Sequence, residues 1–205
     1  MPFDPISPRA ALGFASAILS ILAFLPYLRD VALRRSRPHR ACWIVWATLG
    51  SVSLASAWGD ATAATAGFVA AQVGGTIAVA ALAALRGVGP LFRWRDAPIF
   101  GAAGLGLALW AVTDEPRAAL AITIGVSLVA GWGTVRQVWS MPERETPSTW
   151  FVFLGAALLA LAAIPTPDPM LFAYPLYLAL LYGAVVTAFL RPRARDAAWV
   201  GLRLD

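Results

Sequence analysis

Seven apolar stretches of 17 to 22 residues follow one another along this chain of 205 residues. As a helix rising about 1.5 Å per residue, each can cross a bilayer whose hydrocarbon core is roughly 30 Å thick. Lipid offers no partner to an open strand edge, so the spans are predicted to be helices rather than strands. We expect an all-α membrane protein with spans at residues 10–28, 41–58, 64–85, 97–113, 117–138, 148–164 and 170–190.

The composition excludes an ordinary soluble domain. Only 13% of the residues are charged and 60% are hydrophobic, whereas a soluble domain carries about 25% charged residues. One cysteine and one histidine exclude a disulfide framework and a metal site built from several such ligands, and we expect no cofactor. The chain has no lysine, so the Schiff base of a retinal protein cannot form.

All sixteen basic residues are arginine, and they are sorted by loop. Fourteen follow the first, third, fifth and seventh spans, whereas only Arg9 and Arg117 lie on the opposite side. The positive-inside rule therefore predicts a bacterial inner-membrane protein with its N-terminus outside and its C-terminus in the cytoplasm. The same sorting accounts for the net charge of +5 without nucleic acid. The start, MPFDPISPR, lacks the basic region of a cleavable signal peptide, so we expect the first span to be retained.

The chain repeats itself at a shift of 107 residues. SILAFLPYLRDVALRRSRPHRACWIV aligns with SLVAGWGTVRQVWSMPERETPSTWFV: a helix ends in Arg-x-x-Val, a polar loop follows, and a Trp opens the next helix. One helix separates the copies, so both run in the same direction, as in transporters with parallel repeats. The predicted units are a first three-helix repeat (1–88), a linker helix (89–115), a second three-helix repeat (116–191) and a cytoplasmic tail (192–205). The matched pairs are Ser20/Ser127, Ala23/Ala130, Arg29/Arg136, Val31/Val138, Arg37/Arg144, Trp43/Trp150 and Val45/Val152.

With these features the sequence resembles the PQ-loop superfamily, which includes the SWEET sugar transporters and the lysosomal cystine transporters. The stretches RPHRACWIVWATLGSVSLASAWGDAT and YPLYLALLYG carry the resemblance to bacterial members. It implies a 3+1+3 helix plan and a facilitator for a small polar metabolite that works by alternating access. The Pro-Gln pair that names the superfamily reads Pro26-Tyr27 in the first copy and Gly133-Thr134 in the second. The chain has no asparagine, so the sugar-facing Asn pair of SWEET proteins cannot be carried over.

Polar groups inside the spans are few, and such groups mark solute pathways or interhelical bonds. Tyr177 and Tyr182 can donate hydrogen bonds into a cavity; the alternative for both is packing. Ser53 is a weaker candidate, since Ser in a membrane helix commonly bonds its own backbone. The tryptophans that open the second and sixth spans are interpreted as interface anchors. The predicted substrate-binding residues are Gln72, Thr76, Tyr177, Tyr182 and Ser53.

A second set of residues is predicted to hinge or gate the two ends. Pro26 removes a backbone hydrogen bond and bends the first span, and it is followed by Tyr27. Asp30 is expected to pair with Arg29 or Arg136 in an inner gate, or to form a solvated loop salt bridge. On the outer side, Asp60 and Asp168 hold nearly equivalent places in the two copies; exposed ion pairs there would contribute little.

Two other classes of function remain open. The degenerate second copy and the missing Asn pair also suit a non-transporting subunit of a larger complex or a small-molecule sensor. An enzyme is the least favoured, because no span holds paired carboxylates and Cys42 has only His39 near it in sequence. The expected partners are the lipid bilayer and a small polar metabolite, with a homo-oligomer left open. The substrate and any coupling ion cannot be read from the sequence.

Overall fold

The computed structural model describes residues 7–57, 63–86, 94–113, 116–164 and 169–191. This part of the chain is helical and contains no strand. Two short 3₁₀ turns, Trp94–Asp96 and Pro142–Arg144, precede the fourth and sixth helices. The α-helices are α1 (Pro8–Ala32), α2 (Arg40–Ala57), α3 (Ala63–Leu85), α4 (Ala97–Thr113), α5 (Pro116–Ser140), α6 (Pro147–Ala163) and α7 (Pro169–Leu190).

Three helical segments in the described residues are long and apolar enough to cross a membrane: Pro8–Ala32, Ala66–Leu85 and Leu171–Leu190. Pro147–Ala163 is apolar but shorter. α4 and α6 have 17 residues each, which is about 26 Å of helix and short of the roughly 30 Å hydrocarbon core. α1 and α5 have 25 residues each and extend beyond the spans that the sequence predicts.

The helices form a bundle with a regular pattern of neighbours. α3 packs against both α1 and α2, and α7 packs against both α5 and α6. Between these two groups, α1 packs on α6 and α2 packs on α5. α4 lies against α5 and, more lightly, α2. Each group of three helices therefore packs against the other through its first and second helices.

α1 is fixed at both ends by its own sequence. The Ser7 hydroxyl accepts a hydrogen bond from the Ala10 amide, and Pro8 occupies the first turn, as is usual at a helix start. α1 continues through Pro26 to Ala32. Arg34 then adopts a left-handed conformation (φ 57°), and the Arg35 amide donates to the Asp30 carbonyl. The turn brings the α1–α2 segment (33–39) beside the α5–α6 segment (141–146); we call this the arginine-rich end.

Apolar side chains lie both inside the bundle and on its outer faces. The main core cluster is built mostly from α1, α3, α6 and α7, with Trp43 of α2 and Val138 of α5. On the outside, large apolar residues are exposed on several helices, and contiguous patches of this kind are rare on soluble monomers. The outer faces are therefore suited to apolar surroundings. Examples are Ile18, Ile21, Leu22 and Leu25 on α1, Leu128, Val129 and Trp132 on α5, Leu158 on α6 and Leu180 on α7.

Candidate functional site: a central aromatic cavity

A cavity lies among α1, α2, α3, α5, α6 and α7. About 30 Å³ inside it is available to water, which is room for about two molecules. Half of the lining residues are aromatic and none carries a formal charge. The lining residues are Phe24, Trp43, Trp46, Gly50, Gln72, Val73, Thr76, Thr123, Ser127, Trp150, Phe153, Tyr174, Tyr177, Leu178, Leu181 and Tyr182.

Four of the five residues predicted to bind substrate line this one cavity. They are Gln72 and Thr76 from α3 and Tyr177 and Tyr182 from α7. The sequence offered only their polarity within apolar spans, and the packing of α3 and α7 around the cavity brings them together. Ser53 lies in α2, and its side chain is outside the described part of the chain.

Gln72 is the polar centre of the cavity wall. Its Oε1 accepts a hydrogen bond from the Tyr182 hydroxyl at 3.0 Å, and its Nε2 donates to Ser20 Oγ at 3.3 Å. Ser20 in turn donates to the Ser16 carbonyl at 2.9 Å. Gln72 is almost completely buried. Its amide therefore joins α1, α3 and α7, and in this conformation it is occupied by protein partners rather than turned to a solute.

Two further hydroxyls of the wall, those of Thr76 and Tyr177, donate to backbone carbonyls. Thr76 donates to the Gln72 carbonyl at 2.6 Å, one turn back in the same helix. Tyr177 on α7 donates to the Ser127 carbonyl of α5 at 3.0 Å. Trp46 Nε1 on α2 approaches the same carbonyl at 3.4 Å. These bonds leave the ring faces, more than the polar atoms, to meet whatever occupies the cavity.

Trp43 and Trp150, the matched tryptophans of the two copies, form an aromatic layer between the cavity and the arginine-rich end. Their ring centroids are 6.3 Å apart, and Tyr27 lies 5.0 Å from the Trp43 ring and 6.3 Å from the Trp150 ring. Both tryptophans are buried. Their interpretation as interface anchors is therefore wrong, because their rings pack inside the bundle.

Trp43 Nε1 is a buried N–H donor for which no described residue supplies an acceptor. Such a group costs about 1–3 kcal/mol when it is left unpaired, and most buried polar groups in native proteins have a partner. Trp43 also lines the cavity. The wall of the cavity is thus uncharged, and half of its residues are aromatic.

Directly beyond the aromatic layer, Glu145 is buried within the arginine-rich end. It is 6% exposed and accepts three hydrogen bonds: from the Tyr27 hydroxyl at 2.7 Å, from Gln137 Nε2 at 2.8 Å and from Trp150 Nε1 at 3.4 Å. Burial raises the pKa of the Glu145 carboxyl from 4.5 to about 7, while the three donors act to lower it. A carboxyl with such a pKa exchanges its proton near neutral pH.

Further hydrogen bonds join the two segments of this end. Arg37 N donates to the Arg144 carbonyl at 2.8 Å, and Ser36 Oγ donates to the same carbonyl at 3.1 Å. Gln137 Nε2 also reaches the Arg37 carbonyl at 3.0 Å. The segments 33–39 and 141–146 therefore contact each other mainly through backbone groups, with Glu145 beneath them.

The residues predicted to form a hinge or gate lie in different surroundings. Tyr27 is fully buried and takes part in the Glu145 network. Asp30 accepts a hydrogen bond from Thr146 Oγ1 at 3.0 Å. Arg29 and Arg136 are exposed, and among the described residues neither lies within 4 Å of the Asp30 carboxylate.

In the structure the described partner of the Asp30 carboxylate is thus Thr146, while the side chains of Arg29 and Arg136 are exposed to the surroundings. Asp60 and Asp168, predicted for the opposite end, lie outside the described residues.

A thiol, an imidazole and a carboxylate also meet near the start of α2. Cys42 Sγ is 3.2 Å from His39 Nδ1, and His39 Nε2 is 3.2 Å from Asp96 Oδ1. This is the order of a nucleophile, base and orienting acid. The thiol is, however, completely buried and donates to the Ala130 carbonyl at 3.0 Å, so a substrate cannot reach it in this conformation. The arrangement fixes the start of α2 against α4 and α5.

Glu145 is the site residue that the sequence reasoning missed. It lies between the fifth and sixth predicted spans, where a carboxylate is ordinarily expected to be solvated. One signal was available: Tyr27 places a hydroxyl within an apolar span, and such a hydroxyl requires a partner when it is buried. The partner lies 118 positions away along the chain, which no local pattern can reveal.

No protein-family model matches this chain, and neither a curated protein nor a solved structure is similar to it. The functional argument therefore depends on the residues and geometry described above.

Proposed function

We propose that this protein is a membrane-embedded facilitator for a small, polar, uncharged or zwitterionic metabolite, of the PQ-loop and SWEET type. In this proposal seven helices cross a bacterial inner membrane as two three-helix repeats joined by α4. The N-terminus is outside, and the arginine-rich end faces the cytoplasm. The solute crosses by alternating access through the central cavity.

The outer faces of the bundle support a membrane location. Exposed Ile, Leu, Val and Trp side chains on α1, α5, α6 and α7 would order water but contact lipid tails favourably. Three helical segments have the length and composition of spans. The 17-residue α4 and α6 suit a bilayer that thins locally around them.

Two hydrogen bonds support the internal repeat. Cys42 Sγ donates to the Ala130 carbonyl, and Thr149 Oγ1 donates to the Ala23 carbonyl, both at 3.0 Å. A shift of 107 residues converts one bond into the other and exchanges the two groups of helices. The helix neighbours follow the same exchange, since α1 on α6 corresponds to α5 on α2. Two copies related by a rotation about the membrane normal would make these paired contacts.

The single observation that carries the proposal is the cavity itself. It lies between the two groups of helices and holds polar side chains from both α3 and α7. Its uncharged aromatic walls suit a neutral ring or apolar face, with hydrogen bonds at a few points. No carboxylate lines it, which favours facilitated movement over ion-driven accumulation. The volume of about 30 Å³ corresponds to a closed conformation.

Transport is tested by reconstituting the full chain in liposomes and following uptake of labelled sugars, amino acids and vitamins. We expect saturable, non-concentrative flux of at least one solute. Trp150→Ala should lower it more than tenfold, because the variant removes a cavity-wall ring. Leu158→Ala, on the exposed face of α6, is the matched control and should leave flux unchanged. Flux of no solute above that of empty liposomes would refute the proposal.

A ligand sensor or a non-transporting subunit is the second candidate. The second copy has Gly133-Thr134 where the first has Pro26-Tyr27, so the two halves have different hinges. The Gln72 amide also ties α3 to both α1 and α7. Saturable binding without flux, or stable co-purification with a larger complex, would favour this alternative over transport.

A further inference from the structure

Glu145 is placed to link proton binding to the closure of the arginine-rich end. Its carboxylate accepts hydrogen bonds from residues of three helices. These donors are Tyr27 of α1, Gln137 of α5 and Trp150 of α6. Ordinary loop carboxylates are solvated, as the exposed Glu143 two residues earlier is. Burial of Glu145 therefore needs a reason beyond its position in a loop.

In the described part of the chain, the surroundings of Glu145 supply hydrogen-bond donors but no cation in direct ion-pair contact with it. Among the described residues, no guanidinium or imidazole nitrogen lies within 4 Å of its oxygens, and Arg37 and Arg144 are exposed. The titratable groups that face it are Tyr27 on α1 and Cys42 on α2. Other charged groups near this end of the described chain are Asp30, which accepts a hydrogen bond from Thr146, and Asp96, which pairs with His39. Arg40, the first residue of α2, is half-buried.

A buried carboxyl without a cation favours its protonated form, and exposure to water restores the ionised form. The conformation described here buries Glu145, so it is the conformation that a bound proton stabilises. An open arginine-rich end, with segments 33–39 and 141–146 apart, would hydrate the carboxylate.

The Glu145 contacts reach the cavity directly. Trp150 donates to Glu145 and also lines the cavity, and Tyr27 packs on Trp43, which lines it as well. Movement of Glu145 into water would release the Trp150 indole and the Tyr27 hydroxyl together. The rings of Trp150, Tyr27 and Trp43 separate the cavity from the arginine-rich end.

We propose that Glu145 is a proton-binding site that gates this end: a bound proton holds segments 33–39 and 141–146 together over the cavity, and loss of the proton to water opens them. The inference rests on the proposed function, because a gate presupposes a path for a solute. The proton moves between the carboxyl oxygen and bulk water, and no other reactant is required.

The test measures backbone amide hydrogen exchange of the full chain in lipid nanodiscs, at about pH 5.5 and about pH 8, corrected for the intrinsic effect of pH on exchange. Peptides covering segments 33–39 and 141–146 report the gate, and a peptide within α6 is the reference. With a carboxyl pKa of about 7 when closed and 4.5 when open, opening should increase about 30-fold between the two pH values.

Three variants make the test specific. Glu145→Gln is neutral at every pH and should keep both segments protected at about pH 8. Glu143→Gln removes a neighbouring exposed charge and should behave as the wild type. Tyr27→Phe removes a donor that favours the carboxylate, so the pH midpoint of opening in this variant should rise.

Equal corrected protection of the wild type at both pH values would overturn the proposal, and so would a Glu143→Gln variant that behaves as Glu145→Gln does. If Glu145→Gln does not fold, the proposal is still tested by the pH dependence of exchange in the wild type and by the pH midpoint of opening in Tyr27→Phe. Because exchange needs no solute, absence of flux in the liposome assay would refute the transport function without affecting this result.

Discussion

The hydrogen bond between Gln72 and Tyr182 allows the sharpest test of how the cavity wall is held together. Tyr182→Phe removes the hydroxyl and leaves Gln72 Oε1 buried without its donor. Gln72→Met keeps the shape of the side chain but leaves the Tyr182 hydroxyl without its acceptor. Each change creates one buried, unpaired polar group, for which we expect a loss of about 2 kcal/mol in the free energy of unfolding.

The double variant distinguishes this explanation from simple loss of packing. With both polar groups gone, neither is left unpaired, and Ser20 keeps its own bond to the Ser16 carbonyl. We therefore expect a loss of about 2 kcal/mol for the double variant instead of about 4 kcal/mol, which is a coupling of about 2 kcal/mol. The assay is equilibrium unfolding by SDS in mixed micelles, followed by far-UV circular dichroism.

Thr187→Val is the matched control for this cycle. It removes an exposed hydroxyl of α7 that bonds only one turn back, to the Gly183 carbonyl, and should change the free energy of unfolding by less than about 0.5 kcal/mol. Strict additivity of Gln72→Met and Tyr182→Phe would mean that the two side chains do not share a bond. The assignment of Gln72 as the junction of α1, α3 and α7 would then be wrong.

Three further predictions concern other parts of the bundle. Since burial raises the pKa of Glu145 from 4.5 to about 7, the stability from its bound proton is fully present below about pH 4.5. It is lost as pH rises through about 7, a decrease of about 3 kcal/mol that Glu145→Gln should abolish in unfolding measured against pH. A Cβ at Gly75 would overlap the Phe24 ring, so Gly75→Ala should cost about 1–3 kcal/mol and lower Tm. Gly74→Ala, with nothing within 4 Å, should not lower it. Arg34 has a left-handed backbone (φ 57°), so Arg34→Gly should raise the free energy of unfolding by about 1 kcal/mol.

The sequence predicted the helices well because apolar length is a local property. All seven spans fall on helices of the structure, and the differences are at the ends. α1 continues past its predicted span to Ala32 and α5 continues to Ser140. Polar residues such as Arg29 in α1 and Ser140 in α5 lie beyond the predicted spans, because a helix does not have to end where its apolar run ends.

The site was predictable only in part. Gln72 and Tyr182 were found because a polar side chain inside an apolar span stands out. Their bond to each other depends on how α3 faces α7, which the spacing within either helix does not determine. Trp43 was misread for a related reason: a Trp at the start of a span is usually an anchor, and only the packing of α1 and α6 shows that this one is enclosed.

Glu145 was missed for a different physical reason. Sequence reasoning assigns a carboxylate between two helices to water, because ionised side chains are rarely buried. Here the α1–α2 segment covers the α5–α6 segment, and that cover comes from residues about 110 positions earlier. Long-range contact of two loops leaves no periodic pattern in either one.

The exchange of first and second helices between the two groups resembles the interface of a symmetric dimer. In an isologous interface between identical chains, every substitution alters two contacts at once. If both groups are copies within one chain, each contact changes independently. The thiol of Cys42 and the hydroxyl of Thr149, which make corresponding bonds with different atoms, are an example of that independence. A chain that contains two such groups of helices can therefore change one group to bind a ligand while the other group keeps its packing contacts.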